Sequence, residues 1–305
     1  MDMKHVVVTG GAGFIGQHVV MQLVENGNRV HVLDNFSTGS LENLMIKTHD
    51  GQLVLPFGLT VYESDIVHGP LPDIKKIDQV IHLAAPVSVP ESLEDPLKYW
   101  DGIYVGTKNI IDWAYERGCK NFVAASTAAV YGDSQDLPLS EDSPVSPMSP
   151  YAEYKLEMEE LLRAFNRPEM ACTVLRFFNV FGEGQRDTGG YVSAVPIFLK
   201  QYESYQPITV TGDGQQTRDF VYVGDVARAC QLALEDGWQH ELPIYNVGSG
   251  QEYKIIELAE ALGGEIKWIA ERDEPKRSLS DISKIKAHLG WCANEDVLRW
   301  LKANK

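Results

Sequence analysis

The chain has 305 residues, 44% of them hydrophobic, which is enough to bury a full core in one large domain or two modest ones. Its 43 acidic against 27 basic residues give a formal charge of −16, which predicts repulsion from nucleic-acid backbones and anionic membranes. No apolar run approaches the roughly 20 residues that span a bilayer, so we expect a cytoplasmic protein. Four widely spaced cysteines predict neither a metal site nor a disulfide framework.

Apolar runs alternate with helix-like stretches through the first 177 residues. Parallel strands need crossover connections and have continuous apolar sequences, so this alternation predicts an α/β protein with a doubly wound parallel sheet. A stretch at 134–150, rich in Ser, Pro and acids, predicts an exposed loop. The predicted strands lie at 5–9, 29–33, 59–62, 79–84, 121–125 and 172–177, and the predicted helices at 14–26, 97–117 and 151–166.

A glycine-rich sequence, TGGAGFIG at 9–16, follows the first apolar run and begins the first helical stretch. Its glycines permit a tight turn, a close approach of the backbone to a pyrophosphate, and packing of the helix on the strand. The N-terminal N–H groups of the helix then face the phosphates. The residues expected to contact a dinucleotide here are Gly10, Gly13, Phe14, Ile15 and Gly16.

Asp34 ends the second apolar run, where a carboxylate accepts the hydroxyls of an adenosine ribose. The neighbouring Asn35 brings no positive charge for a 2′-phosphate. A glycine string alone is often only a turn, but the flanking strands and the carboxylate complete a dinucleotide-binding fingerprint. The pattern therefore predicts that the chain binds NAD in preference to NADP.

Tyr151 and Lys155 form a YxxxK pair in the third helical stretch. Their spacing places both side chains on one helix face, where the ammonium can lower the tyrosine pKa from about 10 and allow proton exchange with a sugar hydroxyl. Ser126 and Thr127 follow the run at 121–125, where hydroxyls point into the ligand crevice of a parallel sheet. A strand-end cap is the alternative. In this context we predict that Thr127 shares a hydrogen bond with the reacting oxygen.

These motifs resemble those of the extended short-chain dehydrogenases/reductases, in particular the NAD-dependent nucleotide-sugar epimerase/dehydratase family, and among its members the UDP-glucose 4-epimerases. The resemblance covers nearly the whole chain. The matching segments are TGGAGFIG, LDNFSTG at 33–39, Asp65-Ile66, HLAA at 82–85, STAAVYG at 126–132, YAEYK at 151–155, LRFFNVFG at 175–182, TRDFVYVGDVARA at 217–229, YNVGSG at 245–250 and RSLSDISKIKAHLGW at 277–291.

The resemblance implies two domains. The first is an NAD-binding Rossmann domain over 1–177, to which the chain returns around 217–245. The second is a smaller α/β domain, mainly over 178–305, that binds the nucleotide sugar. The sequence pattern also predicts a smaller substrate-covering domain there, because beyond residue 178 the alternation breaks into glycine-rich turns at 182–190 and 212–216.

The resemblance also assigns roles to individual residues. It implies that Asp65 and Ile66 bracket the adenine and that Phe178 lies by the nicotinamide, while Leu83, Ala84 and Ala85 line the cofactor. It implies that Asn179, Arg218 and Arg277 hold the diphosphate of the sugar nucleotide. In a chain this acidic a diphosphate needs positive partners, and guanidinium suits phosphate. The alternative for Arg218 is an ordinary ion pair with Asp219 or Asp225.

The residues after the active-site hydroxyl bear on the reaction. Dehydratases and decarboxylases of this family resemble one another in carrying acidic residues there, whereas this chain has Ala128 and Ala129. Alanine supplies neither the base nor the acid that removal of water requires. We therefore expect 4-epimerisation of a nucleotide sugar, most simply a UDP-sugar. The alternatives are a uronate epimerase, a decarboxylase, a reductase, or a non-catalytic NAD-binding regulatory protein.

Two further expectations concern the substrate pocket and assembly. In resembling epimerases a bulky residue closes the pocket three places before the aspartate numbered Asp281 here, so the small Ser278 predicts that N-acetylhexosamines are accepted. Relatives pair their long helices into a four-helix bundle, which implies a homodimer. Candidate seam residues, each of which is alternatively part of the domain core, are Ile103, Ile110, Trp113, Leu161 and Phe165.

Overall fold

A computed structural model describes residues 3–186, 193–271 and 274–305; residues 187–190 of the predicted loop at 182–190 therefore lie outside the described part of the chain. The helices in these ranges are α1 (Phe14–Glu25), α2 (Val89–Glu94), α3 (Pro96–Trp100), α4 (Gly106–Glu116), α5 (Pro150–Phe165), α6 (Ala194–Glu203), α7 (Val223–Glu235), α8 (Ile255–Leu262), α9 (Ser283–Leu289) and α10 (Val297–Ala303). The strands are β1 (His5–Thr9), β2 (Arg29–Asp34), β3 (Ile46–Lys47), β4 (Leu53–Val54), β5 (Leu59–Glu63), β6 (Gln79–His82), β7 (Asn121–Thr127), β8 (Ala171–Phe177), β9 (Asn179–Phe181), β10 (Ile208–Thr211), β11 (Thr217–Arg218), β12 (Phe220–Tyr222), β13 (Ile244–Val247), β14 (Tyr253–Lys254) and β15 (Ile266–Ile269).

Seven of the described strands form one sheet in the order β13-β8-β7-β6-β1-β2-β5. β1 pairs in parallel with both β2 and β6, and the parallel pairing continues from β2 to β5 and from β6 to β7. Successive strands are added on one side of β1, as β2 and β5, and then on its other side, starting with β6. The strand order therefore reverses between β1 and β6, and sheets of this kind bind ligands at that point. The predicted doubly wound α/β class is confirmed.

The apolar runs explain why these strands form. Val6, Val7 and Val8 of β1 are completely buried, as expected for the central strand of a sheet that is covered on both faces. The six predicted runs correspond to β1, β2, β5, β6, β7 and β8. The seventh strand, β13, was not among the predicted runs and lies at the end of the range 217–245 over which the chain is expected to return to the sheet.

The predicted helix at 97–117 is interrupted. α3 and α4 are separated by a π-helical segment, Asp101–Val105. A side chain at Gly102 would place its Cβ 2.7 Å from Cδ of Pro86, and one at Gly106 would place its Cβ 2.6 Å from Cδ1 of Ile66. The two glycines therefore let this helical region approach the segments that follow β6 and β5.

The chain divides into two compact units. The first unit comprises the described residues of Met1–Ser126, Ser149–Leu175 and Ala227–Ile244, and the second comprises those of Thr127–Met148, Arg176–Val226 and Tyr245–Lys305. The second unit has its own apolar core, in which Phe181, Leu258 and Leu301 are completely buried. Three small two-stranded pairings accompany that core: β9 with β12, β10 with β15, and β11 with β14. The functional assignment of the two predicted domains stays a prediction.

Cys119, Cys172 and Cys230 are buried, and Cys292 is exposed. Within the described ranges, no helix is both long enough and apolar enough to cross a bilayer.

Candidate functional site

The turn after β1 needs glycine at two places. Gly10 has a φ of +68°, and a Cβ there would lie 2.8 Å from the backbone nitrogen of Ala84. A Cβ on Gly16 would lie 2.1 Å from the carbonyl oxygen of Gly10. These contacts are with backbone atoms that have little freedom to move, so the turn brings β1, the start of α1 and the segment after β6 together in a way that only glycine permits.

The N-terminus of α1 has the character of an anion site. Its N-cap is Gly13, and in the described structure neither a side-chain cap nor an acidic residue of the first turn satisfies its N–H groups. Phe14, Ile15 and Gly16 form the first turn of this helix, which has 12 residues. Free N–H groups and the positive end of the helix dipole favour a phosphate group, so this end of the helix fits the pyrophosphate of a dinucleotide.

Asp34 lies at the end of β2 and is 7% exposed. One carboxylate oxygen accepts a hydrogen bond from the backbone N–H of Ala12 at 2.9 Å, and the other accepts from the N–H of Phe36 at 2.8 Å. Both oxygens retain acceptor capacity for ribose hydroxyls. The carboxylate is thus held by the glycine-rich turn itself.

Asn35 and Asp65 are linked. The side-chain N–H of Asn35 donates to a carboxylate oxygen of Asp65 at 3.3 Å, and the other oxygen of Asp65 accepts from the N–H of Val67 at 2.7 Å. The carbonyl oxygen of the next residue, Ile66, accepts from the side chain of Asn109 on α4 at 3.0 Å. Asn35 therefore lies between two carboxylates: Asp34 precedes it in the sequence, and Asp65 accepts its hydrogen bond. Their negative charge disfavours binding of the 2′-phosphate that NADP carries.

Leu83, Ala84 and Ala85 form a half-buried segment directly after β6. The backbone N–H of Leu83 donates to the carbonyl of Thr9 at 3.2 Å, and that of Ala84 donates to the Thr9 hydroxyl, also at 3.2 Å. The same hydroxyl lies 2.7 Å from Nδ1 of His82. Burial, assisted by a nearby lysine charge, lowers the pKa of His82 to about 3, so the imidazole is neutral. Sequence reasoning missed His82, because its role depends on two strands that are distant in sequence.

Tyr151 and Lys155 occupy the first turns of α5. This helix begins with Pro150 at its first position, and the hydroxyl of Ser149 accepts a hydrogen bond from the N–H of Ala152 at 3.3 Å, which is the expected chemistry of a helix start. Tyr151 is 9% exposed and Lys155 is 4% exposed. The structure therefore places both members of the predicted pair on the buried face of one helix.

The ammonium of Lys155 is held by the sheet. Nζ donates to the carbonyl oxygen of Ala125 in β7 at 2.7 Å. Burial lowers the pKa of Lys155 to about 8, although the negative charge of Glu159 acts in the opposite direction. The hydroxyl of Ser126 donates to Oε1 of Glu159 at 2.5 Å. Glu159 was missed from sequence, and the available signal was a second spacing of four residues after Lys155.

Thr127 caps the turn that follows β7. Its hydroxyl oxygen accepts a hydrogen bond from the backbone N–H of Ala129 at 3.1 Å, at the start of the 3₁₀ turn Ala128–Tyr131. This is the strand-end cap considered as the alternative. The capping bond does not use the hydroxyl proton, so the same group retains the capacity to donate to a ligand. Ala128 and Ala129 are half-buried in that turn.

In the second unit, Phe178 and Asn179 follow β8. Phe178 is 5% exposed, and its ring centroid lies 6.4 Å from that of Tyr131. The backbone and side-chain N–H groups of Asn179 both lie 3.1 Å from the carbonyl oxygen of Asp219. Asn179 is thereby tied to the strand that follows Arg218.

Both predicted phosphate-binding arginines have carboxylate partners. Arg218 lies 3.1 Å from Oε2 of Glu274, in place of the pairing with Asp219 or Asp225 considered above. Arg277 binds Glu252 in a bidentate manner, with N···O distances of 2.8 and 2.7 Å. Ser278, which follows Arg277, is half-buried.

Asp219 organises the segments around these arginines. It is completely buried, and burial raises its pKa. One oxygen accepts from the backbone N–H of Ser249 at 2.6 Å, and the other accepts from the N–H of Ser280 at 3.0 Å and of Gly250 at 3.1 Å. A Cβ on Gly248 would lie 2.3 Å from the Ser280 hydroxyl oxygen, so this packing requires glycine. Sequence reasoning had treated Asp219 only as a possible partner of Arg218.

A cavity of about 340 Å³ lies in the second unit beside Arg277. Its volume is at the lower end of the range of small-molecule pockets. Its lining includes Thr211, Gln216, Glu271, Glu274 and Lys276.

Known proteins resemble this chain along its whole length. A protein of Methanocaldococcus jannaschii, provisionally named UDP-glucose 4-epimerase, is 36% identical over 318 residues, covering 98% of this chain and 99% of that protein. UDP-glucuronic acid decarboxylase 1 of Xenopus tropicalis is 33% identical over 305 residues, covering 95% and 68%. The solved UDP-N-acetylglucosamine 4-epimerase of Methanobrevibacter ruminantium M1, in complex with UDP-N-acetylmuramic acid, matches with a TM-score of 0.89 at 32% identity, covering 100% and 97%.

The family itself is established by a broader match. A sequence model described as the NAD dependent epimerase/dehydratase family matches residues 6–248. That range contains the glycine-rich turn, Asp34 and the Tyr151–Lys155 pair. The chain therefore belongs to the NAD-dependent epimerase/dehydratase family, and NAD is its cofactor.

Proposed function

We propose that the protein is a 4-epimerase of a nucleotide sugar, with a UDP-hexose or a UDP-N-acetylhexosamine as its substrate. The observation that carries this proposal is the pair Ala128 and Ala129, directly after Thr127. Elimination of water needs an acid and a base beside the sugar, and neither alanine can supply them. Tyr151 and Lys155, which support oxidation of a hydroxyl, are both present and buried.

The first unit provides groups that fit NAD. The unsatisfied N-terminus of α1 suits the pyrophosphate, and the buried carboxylate of Asp34 suits the ribose hydroxyls. Asp65 and Ile66 are proposed to lie along the adenine, with Leu83, Ala84 and Ala85 along the phosphates and ribose; Phe178 stays a proposal for the nicotinamide. When bound, NAD would serve as acceptor and then donor of the hydride at C4 of the sugar, with no net redox change.

Tyr151 is proposed to exchange the proton. Its phenolic oxygen takes the proton of the C4 hydroxyl as the sugar is oxidised and gives it back as the sugar is reduced. Lys155, one turn along α5, stabilises the phenolate by its charge, and its bond to the Ala125 carbonyl holds the ammonium in place. Thr127 is proposed to donate its hydroxyl proton to the reacting oxygen while its own oxygen caps the following turn.

The second unit provides groups that fit a nucleotide diphosphate. Arg218 and Arg277 are proposed to bind its phosphates, assisted by Asn179. Because both guanidiniums are paired with carboxylates, the diphosphate has to compete with Glu274 and Glu252 for them. The small Ser278 is proposed to leave space for an N-acetyl group. The similar solved structure from Methanobrevibacter ruminantium M1 is that of a UDP-N-acetylglucosamine 4-epimerase.

A decarboxylase is the second candidate, because the Xenopus relative carries that name. A decarboxylase reaction would also begin with oxidation at C4, but it would then release CO2 from a uronic acid. The presence of alanine, and not of an acidic residue, at 128 and 129 favours epimerisation over this alternative.

We also propose that two copies pair through α3–α5. Leu97 of α3 is 73% exposed, and the rings of Trp100 and Tyr104 stack at a centroid distance of 4.3 Å. Of the candidate seam residues, Ile103, Ile110 and Trp113 are buried in the first unit, in agreement with the alternative that they are part of the domain core, whereas Leu161 and Phe165 are half-buried.

To test the proposal, the purified protein is incubated with a panel of UDP-, GDP- and dTDP-sugars, and the products are identified by NMR. We expect the C4 epimer of a UDP-sugar with no CO2 release and no net NADH. A UDP-pentose formed with CO2 would instead show a decarboxylase, and NAD binding without any product would show a regulatory protein.

A further inference from the structure

Glu159 is a buried carboxylate for which the proposed reaction has no direct use. It is 1% exposed and follows Lys155 on α5 by four residues, as Lys155 follows Tyr151. Three groups that can carry charge therefore share one face of the helix. A buried carboxylate is costly unless it is hydrogen-bonded or paired, so its position needs an explanation.

Two consecutive residues of β7 hold two of these groups. The carbonyl of Ala125 accepts from Lys155 Nζ at 2.7 Å, and the hydroxyl of the next residue, Ser126, donates to Glu159 Oε1 at 2.5 Å. Ser126 is itself 4% exposed. A short, buried bond from a hydroxyl to a carboxylate is strong and directional. The strand thus sets the positions of the ammonium and the carboxylate together.

We propose that Glu159 is a positioning residue for the Tyr151–Lys155 pair: Ser126 holds its carboxylate one helical turn from Lys155, where its charge keeps Lys155 in the ammonium form. Ser126 then acts on the reaction through Glu159 and not by touching the substrate. The effect on turnover rests on the proposed function, whereas the effect on the ionisation of Lys155 does not.

The charges around Lys155 support this role. Burial lowers the pKa of Lys155 to about 8, and Glu159 is the neighbour whose charge raises it. Tyr151 lies on the same helix, and β6 contributes His82, whose pKa is lowered by burial and by Lys155 to about 3, so it is neutral. β7 contributes the Ala125 carbonyl and the Ser126 hydroxyl, which carry no formal charge. Removal of the Glu159 charge should therefore lower the pKa of Lys155 further.

The test compares Glu159→Gln with Glu157→Gln. Glutamine keeps an oxygen that accepts from Ser126 while it removes the charge, and Glu157 is exposed on the same helix, so its replacement removes an equal charge from the solvent side. Two quantities are measured between pH 6 and pH 10: kcat with the UDP-sugar, and the titration of Lys155 in protein labelled with 13Cε-lysine, whose resonance is assigned by its loss in Lys155→Met. In Glu159→Gln we expect both the alkaline limb of kcat and the Lys155 titration to move to lower pH by about one unit or more. In Glu157→Gln neither should move.

An unchanged titration of Lys155 in Glu159→Gln would overturn the proposal, as would a loss of kcat that is equal at every pH. If Glu159→Gln does not fold, Ser126→Ala decides: it keeps the glutamate but releases its carboxylate, so we expect a smaller movement in the same direction, and no movement there also contradicts the role. If no nucleotide sugar is turned over by the unaltered protein, the proposed function fails, and the Lys155 titration still tests Glu159 by itself.

Discussion

Replacing Lys155 with methionine should make the protein more stable near neutral pH, and the gain should shrink as the pH rises. Methionine has a similar length and no charge, so the change removes the buried ammonium while filling most of its volume. The pKa of Lys155 is lowered from 10.5 to about 8 by burial. That gap of 2.5 pH units, at about 1.4 kcal/mol per unit, corresponds to a cost of about 3 kcal/mol for burying the charged form.

The direction follows from which state binds the proton more tightly. Because the folded-state pKa lies below the unfolded value, the unfolded chain binds this proton more strongly, and the charge destabilises the fold. The free-energy cost of burying the charged Lys155 applies in full below a pH of about 8, and it disappears as the pH rises from about 8 to 10.5. Between pH 7 and pH 9.5, the unaltered protein should therefore gain about 2 kcal/mol relative to Lys155→Met.

Urea unfolding of both proteins at the same cofactor occupancy, repeated across this pH range, measures the difference. Loss of the hydrogen bond to Ala125 lowers the stability of the variant by an amount that does not depend on pH in this range, so the slope with pH carries the information. Lys108, an exposed lysine paired with Asp112, provides the control, and Lys108→Met should show no such slope. A difference between the Lys155→Met and unaltered proteins that stays constant from pH 7 to pH 9.5 would refute the reasoning.

Three further predictions concern ligand binding. Combining Asp34→Ala with Asn35→Arg should narrow or invert a preference for NAD over NADP, and calorimetric titration that finds tighter NADP binding to the unaltered protein would contradict the assignment of Asp34. Replacing Glu252 or Glu274 with glutamine should lower KM for the UDP-sugar by up to about fivefold with little change in kcat, because a competing carboxylate is removed from an arginine. Glu160→Gln, at the exposed partner of Arg163, is the control, and a higher KM in the first two variants would count against the phosphate role of Arg277 and Arg218. Ser278→Tyr should cost activity on an N-acetylated substrate roughly tenfold more than on UDP-glucose, since an overfilled pocket penalises the larger ligand; equal losses would rule the pocket assignment out.

The features that the sequence predicted are those that local rules determine. The apolar runs of β1 and β2 identify strands because a covered parallel sheet buries both faces, and Gly10 and Gly16 are required by contacts within a single turn. Asp34 receives its partners from residues 12 and 36, which belong to the same local unit. A pattern of residues close in sequence was sufficient for each of these.

The features that sequence did not reveal depend on pairs of distant residues. Ser126 and Glu159 are 33 positions apart, and the link between them exists only because α5 packs on β7. The π-helical segment between α3 and α4 carries glycines at 102 and 106, but the reason for them is distant in sequence: their close contacts are with Pro86 and Ile66. Nothing near Arg218 in the sequence indicated Glu274, which lies 56 positions later.

Tyr151 provides the most direct test of the account. Tyr151→Phe keeps the ring and removes the hydroxyl, and Tyr154→Phe makes the same change three residues further along α5, at a tyrosine that packs against Trp100. With NAD bound to both variants, turnover of the UDP-sugar to its C4 epimer is followed by NMR. We expect Tyr151→Phe to lose a factor of roughly 10² or more in turnover while Tyr154→Phe stays near the unaltered protein. Near-normal epimerisation by Tyr151→Phe would contradict the central claim.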